Sequence, residues 1–255
     1  MSSKGFQARI EESSEIHASK IVLALDYILS DREALFLKSL QTVETLAPHL
    51  CAVKINRHLV LPLGLYPHVE RLVTAVHDLD LPVIMDCKLN DIGDTNLEIA
   101  RRYFEVGFDA LTANPFIGWE GGLEPVFKLA KESGKGVILL VYMSHRSAGE
   151  GYGQKVVDSR TGHERRQYLV FAERAVAWGA DGVVVGATFP GKIREINQAL
   201  KDRIPIYSPG IGVQGGALKR VADAGASYFI IGRSILLSPD PLEAVKAFKE
   251  SLERE

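Results

Sequence analysis

Eight short apolar runs recur along this chain, each followed by a stretch whose apolar residues fall at helical spacing. The runs are Lys20–Leu25, Cys51–Ile55, Leu81–Met85, Ala110–Ala113, Gly136–Val141, Asp181–Val185, Ile204–Tyr207 and Tyr228–Ile231. They are rich in Val, Ile and Leu and show no long polar–apolar alternation, the pattern of strands covered on both faces. Amphipathic stretches fill the gaps at about 31–47, 66–79, 95–106, 120–133, 164–178, 191–200, 215–224 and 240–252. Eight strand–helix units in this length give ~32 residues per unit, the spacing of an α/β chain folded as a single-domain (β/α)8 TIM barrel. The competing fold is an open doubly wound sheet. It asks for fewer strands and a glycine-rich turn after the first strand, whereas the first run here leads into Asp26-Tyr27-Ile28.

Local signals agree with this division. Thr95-Asn-Leu-Glu98 reads as a capping box, and Gly107, Gly134, Gly179 and Gly225 stand just past expected helix ends. Residues 1–19 precede the first strand, and Phe6 to Ser14 can form a short helix that closes the barrel bottom. One connection is long, from Ser144 to about Glu164, with Gly149, Gly151, Gly153 and Gly162 among polar residues. Loops of that length are usually functional or mobile.

Composition narrows the function classes. Thirty basic against 32 acidic residues leave a formal net charge of −2, without the basic footprint of a nucleic-acid binder. Cys51 and Cys87 make no disulfide framework and read as core thiols. No two of the seven histidines pair with a Cys or third His at metal-ligand spacing. No apolar run approaches the ~18–20 residues of a membrane span, and the N-terminus lacks the apolar core of a signal peptide. The expectation is a cytoplasmic enzyme or binding protein with no nucleic-acid or membrane partner. Trp119 and Trp178 read as packing, and His145 as a loop histidine.

In a barrel, chemistry sits at the C-terminal ends of the strands. The first strand ends at Asp26, the second contains Lys54, and the third leads into Asp86-Cys-Lys88-Leu-Asn-Asp91. Residues i and i+2 of a strand point to one side. Asp86 and Lys88 therefore project together toward the axis and Cys87 projects away. Lys54 points opposite to Val53 and Ile55, which suit the helix layer. Isolated buried charges cost several kcal/mol each, and alternating signs make them tolerable. The alternation also keeps a lysine charged beside carboxylates and ready to donate a proton. A structural ion-pair network is the competing reading of the same residues.

The seventh strand runs into Ser208-Pro-Gly-Ile-Gly-Val-Gln-Gly-Gly216 and the eighth into Gly232-Arg-Ser234. Gly210, Gly212 and Gly215 fit a dinucleotide fingerprint in spacing. They stand late in the chain, and the acidic residue expected further on is replaced by a strand. In a barrel these two turns form a phosphate cup, with backbone N–H groups and the Arg233 guanidinium as donors. Gln214 can reach the phosphate or a neighbouring polar group.

Taken together, these segments resemble the orotidine 5′-phosphate decarboxylase family, most closely its archaeal form. The likeness runs over the whole barrel: Leu25-Asp26, Val53-Lys54, Asp86 to Thr95, Met143-Ser-His145, Ser208 to Gly216 and Gly232 to Ile235. It implies conversion of orotidine 5′-monophosphate to UMP and CO2 without metal or organic cofactor, in a homodimer with sites at the subunit interface. It implies a catalytic set of Lys88, Asp86, Lys54 and Asp91, with Lys88 protonating C6 and Asp91 arriving from the partner chain. Ile92 and Thr95 would accompany Asp91, although Thr95 also serves as a helix cap. Asp26 would accept from a ribose hydroxyl, and Ser144 would bond the pyrimidine edge. Pro209, Gly210, Ile211, Gly212, Gln214, Gly215, Gly232 and Arg233 would hold the phosphate side. The glycine loop after the seventh strand and the long loop after the fifth are the candidate lids. The stretch Gly149 to Arg166 is longer and more polar than in the family, and its Tyr152, Lys155 and Arg160 have no counterpart role.

Rival functions differ at single positions. A magnesium-dependent keto- or hexulose-phosphate decarboxylase or synthase carries Glu where Lys54 stands, and a lysine there repels a metal. A Schiff-base aldolase needs Lys88 uncharged, which carboxylate neighbours oppose. A non-catalytic phosphate-ligand binder would bind UMP without turning over, while carrying the cost of a complete charge network.

Overall fold

The apolar runs become parallel strands that close on themselves. The computed structural model describes residues 4–158, 161–212 and 215–253. Its strands are β1 (Ile21–Ala24), β2 (Ala52–Asn56), β3 (Val83–Leu89), β4 (Ala110–Ala113), β5 (Gly136–Tyr142), a small pair β6 (Lys155–Val157) and β7 (Glu164–Arg166), then β8 (Gly182–Val185), β9 (Ile206–Pro209) and β10 (Tyr228–Ile231). All but β6 and β7 form one closed parallel barrel in the order β1-β10-β9-β8-β5-β4-β3-β2. The helices in chain order are α1 (Phe6–Ile16), α2 (Arg32–Leu46), α3 (Arg57–Leu63), α4 (Glu70–His77), α5 (Gly93–Val106), α6 (Glu124–Glu132), α7 (Ala148–Gly151), α8 (Gln167–Trp178), α9 (Pro190–Leu200), α10 (Gly215–Asp223), α11 (Arg233–Leu236) and α12 (Pro241–Glu253). Among the described residues, no helix is long and apolar enough to cross a membrane.

Each barrel strand is buried on both faces, which explains the continuous Val, Ile and Leu composition; β6 and β7 are largely exposed. The helices bury one stripe each. On α2 the stripe is Leu35, Phe36, Ser39, Val43 and Leu46, and the Asp31 carboxylate caps the helix by accepting the Ala34 N–H at 2.6 Å. Burying a Leu, Val or Phe of this kind contributes about 1.5–3 kcal/mol. The barrel bottom is closed by α1: Phe6 lies against Gly136, where a Cβ would stand 2.5 Å from its ring. Arg9 of α1 donates to the Gly134 carbonyl and pairs with the buried Asp109 at 3.1 Å. His77 and Lys135 meet the same carboxylate. These charges belong to the N-terminal face, where barrels invest in stability.

Three local expectations change. First, β3 runs on to Leu89, so Asp86 and Lys88 lie within the strand. Second, the capping box at Thr95 does not form. Helix α5 begins at Gly93 with Ile92 as N-cap, and Thr95 stands exposed inside the first turn. Asn96 closes the turn instead, its amide oxygen accepting the Asp91 N–H at 3.1 Å and its amide nitrogen bonding the Asp91 carbonyl. Third, the connection after β5 is built rather than open. It contains α7 and the antiparallel β6–β7 pair, so α8 starts at Gln167 and not at 164. Tyr152 anchors it: the ring packs on Phe116, Tyr142 and Phe171. Arg165 ties β7 to Asp158 at 3.1 Å and to Glu173. Arg160 lies outside the described residues.

Candidate active site

A cavity of about 670 Å³ opens at the C-terminal mouth of the barrel. Two groups of residues face each other across it. One is charged and stands on β1, β2 and β3; the other is rich in glycine and follows β9 and β10.

The charged group is a chain of opposite signs. Lys54 Nζ lies 2.9 Å from Asp86 Oδ2 and 3.7 Å from Asp26 Oδ1, and Lys88 Nζ lies 2.6 Å from Asp86 Oδ1. Lys54 and Asp86 are buried, Lys88 and Asp26 half-buried. Burial alone would raise the Asp86 carboxyl. The Lys54 charge, then that of Lys88, with their hydrogen bonds, overrule it and hold Asp86 well below the usual carboxylate range. Asp26 Oδ1 is buried and accepts no hydrogen bond from the described residues.

Strand alternation places these side chains, with one departure. Lys88 has φ +50°, in the left-handed region that costs a non-glycine residue about 1–2 kcal/mol. The β3–β4 register shifts at the same place, between Met85 and Leu89. Cys87 turns away into the wall as expected. Burial, then the neighbouring Asp86 charge, push its thiol up to about 12. Two residues of this half were not anticipated. Thr112 of β4 donates its hydroxyl to Asp86 Oδ1 at 3.0 Å and accepts the Lys88 backbone N–H at 2.9 Å. Asn56 of β2 reaches Asp86 Oδ2 at 3.5 Å. Asn56 stands two residues after Lys54, so the alternation that placed Lys54 also signals it. Thr112 is the one polar residue of an apolar run, a weaker sign.

The opposite half brings together Pro209, Gly210, Ile211, Gly212, Gly232 and Arg233. The Ser234 hydroxyl donates to the Ile211 carbonyl at 3.1 Å and pins the two turns to each other. Gly210 has φ +93°, and a Cβ there would come within 3.1 Å of Ser144. A Cβ on Gly232 would lie 3.1 Å from Ala24 and 3.3 Å from Asp26 Oδ2. Both glycines thus let backbone approach the cavity. Ser144, after β5, lines the cavity between the two halves, while His145 is exposed.

Not every anticipated residue arrives. Asp91 and Ile92 are exposed, Ile92 by 63%, and with Thr95 they lie outside the cavity of the single chain. The Asp91 carboxylate accepts its neighbour's Ile92 N–H at 2.7 Å and pairs with neither Lys54 nor Lys88. Gly215 is the first residue of α10. Gln214 lies outside the described residues.

The arrangement can hold a phosphorylated ligand with its anion at Arg233 and its reacting end at Lys88. A model of the orotidine 5′-phosphate decarboxylase / HUMPS family matches residues 19–248. The chain belongs to this family. The orotidine 5′-phosphate decarboxylase of Thermococcus kodakarensis is 35% identical over 235 residues, covering 92% of this chain and 97% of that one. Among solved structures, the orotidine 5′-phosphate decarboxylase of Pyrococcus horikoshii superposes with a TM-score of 0.75 at 30% identity, over 92% of this chain and all of its own. The UMP synthase of Leishmania donovani gives a TM-score of 0.83 at 25% identity; the match covers 98% of this chain and 56% of that longer protein. The family resemblance read from the sequence and the barrel fold are thereby both shown.

Proposed function

We propose that this chain is a carboxy-lyase that converts orotidine 5′-monophosphate to UMP and CO2, a step of pyrimidine biosynthesis. The observation that carries the reading is the Asp86 carboxylate held between the Lys54 and Lys88 ammonium groups, in one cavity with Arg233.

Loss of CO2 leaves an electron pair on C6 with no conjugated sink. The site must stabilise that charge with a fixed cation in a place poor in water. The Lys88 ammonium is that cation, and it delivers the proton that C6 takes up. Asp86 holds Lys88 in place and lies against the departing carboxylate. Lys54 orients Asp86 and bonds the ribose, and Asp26 Oδ1, which accepts no hydrogen bond from the described residues, accepts from a ribose hydroxyl. Ser144 bonds the pyrimidine edge, and Gln214 bridges base and phosphate. Gly210, Ile211, Gly212, Gly215, Gly232 and Arg233 surround the phosphate, with Pro209 at the turn. Phosphate binding, remote from C6, supplies energy that the reacting end uses.

The same reading makes the enzyme a cytoplasmic homodimer. Asp91, Ile92 and Thr95 are displayed on one exposed turn at the mouth, and a second copy would carry that turn into its neighbour's cavity. The test is a spectrophotometric decarboxylation assay on orotidine 5′-monophosphate with EDTA present. Consumption of substrate at an undiminished rate supports the reading, and no turnover overturns it. The metal-dependent alternative within this family predicts loss of activity on chelation.

A further inference from the structure

The β3–β4 pairing holds Met85 opposite Leu111 and next pairs Leu89 with Ala113. Four residues of advance on β3 thus meet two on β4, and the surplus bulges out where Asp86, Cys87 and Lys88 stand. Bulges of this kind re-aim a side chain at the cost of ladder hydrogen bonds. The Lys88 N–H donates to a side chain, the Thr112 hydroxyl at 2.9 Å.

We propose that Thr112 is the positioning residue that sets the proton-donating lysine, its hydroxyl clamping the Lys88 backbone to Asp86 Oδ1. This deepens the decarboxylase reading and rests on it. The direction of each hydrogen bond is forced. A backbone N–H can only donate and an ionised carboxylate can only accept, so the hydroxyl accepts from Lys88 and donates to Asp86. Asp86 Oδ1 receives the Lys88 ammonium at 2.6 Å and the Thr112 hydroxyl at 3.0 Å. The loop is therefore closed: Lys88 N–H to Thr112, Thr112 to Asp86, and Asp86 back to Lys88 Nζ. It fixes the lysine at both ends of its side chain. Without the hydroxyl, the left-handed Lys88 loses the bond that compensates its backbone, and relaxation to an ordinary strand φ re-aims Nζ. Thr112 is buried at 3% exposure, with apolar Leu111 and Ala113 on either side in β4. Valine preserves its shape and removes only the hydroxyl, which separates positioning from packing.

The experiment compares Thr112→Val, Thr112→Ala and Thr112→Ser in steady-state decarboxylation, with UMP binding by calorimetry. A misplaced reacting group costs on the order of 100-fold. Thr112→Val and Thr112→Ala should lower kcat by about 30- to 100-fold, with KM and UMP affinity within about threefold of wild type. Thr112→Ser should restore kcat to within about threefold. A wild-type kcat in Thr112→Val, an equal loss in Thr112→Ser, or a loss confined to KM overturns the proposal. Should Thr112→Val fail to fold, the Ala and Ser variants decide between them. Absence of turnover in the wild type overturns the decarboxylase reading instead. The clamp is then read from a crystal structure of Thr112→Val, in which Lys88 should leave the left-handed region. An unchanged Lys88 backbone there overturns it.

Discussion

Lys88 Nζ stands 2.6 Å from Asp86 Oδ1, two residues back along the same strand, although the Lys88 backbone is left-handed. A regular strand would also put both side chains on one side. Here the shared side is reached through a bulge, which leaves the ammonium pinned to the carboxylate that Lys54 grips from its other oxygen. Lys54 and Lys88 balance Asp26 and Asp86, and Arg233 leaves the pocket with net positive charge. Such a pocket suits a ligand that becomes more anionic at its reacting carbon.

Removing the ammonium should therefore separate chemistry from binding. Lys88→Ala is expected to lower turnover by at least about three orders of magnitude, the combined scale of proton donation and charge stabilisation. UMP should still bind. Near-normal turnover in the assay would assign the proton to another group.

Arg233 makes the complementary case. Hydrogen bonds to charged groups contribute about 1.5–3 kcal/mol. Arg233→Ala should weaken UMP by about 2 kcal/mol, roughly 30-fold, and leave uridine almost unaffected. Titration calorimetry with both ligands reads the difference, and equal losses would remove the phosphate role.

Asp91 allows a test of shared sites. If it serves the neighbouring subunit, Lys88→Ala and Asp91→Ala homodimers are each inactive, while a mixed dimer holds one intact site of its two. Random exchange in a two-fold dimer then restores about a quarter of wild-type activity. Activity that stays at the level of the separate variants after subunit exchange would argue against sharing.

Gly186 offers a packing test at Ser144. A Cβ there would stand 2.5 Å from the Ser144 Cα, so Gly186→Ala must push the β5 exit. Overpacking of this sort costs about 1–3 kcal/mol, readable by urea unfolding, and UMP binding should weaken with it. Gly136→Ala, crowded against Phe6 at the opposite end of the barrel, should lose stability without that loss of binding.

Asp181 should make stability depend on pH in an unusual direction. Burial raises its carboxyl to about 6, against hydrogen bonds such as that from the Val137 N–H. The folded state then holds more protons than the unfolded state between pH 3.8 and about 6. This contribution is present in full below 3.8 and is lost as pH rises through about 6. Asp181→Asn removes the loss. It should gain stability over wild type by about 1–3 kcal/mol at pH 8, the gain shrinking toward pH 4. Urea unfolding at the two pH values checks it; a gain that grows on acidification would contradict the assignment. Asp86 and Asp109, both held low, act with the opposite sign and lose their contribution as pH falls below the ordinary carboxylate range.

Much of this site was legible in one dimension because its logic is periodic. Repeated strand–helix spacing determined the barrel, and the period of two put Lys54, Asp86 and Lys88 on the axis side. Glycines after the last two strands marked where backbone must come close to a ligand. Short-range rules of this kind depend only on neighbours along the chain. They also misled where a competing local contact won, as at Thr95, because Asn96 closes the turn around Asp91 from inside the helix.

Tertiary structure alone decided the rest. The Thr112 clamp depends on how β4 registers against a bulged β3, a relation between segments that no single run carries. The β6–β7 pair and the Tyr152 anchor turn a polar, glycine-rich loop into an ordered wall, since the aromatic rings that hold it come from distant elements. The exposure of Asp91 and Ile92 likewise follows from the direction in which α5 leaves β3. Charge, polarity and period are properties of a residue and its neighbours in sequence. Register and packing depend on which distant surfaces meet, and those are settled only when the barrel closes.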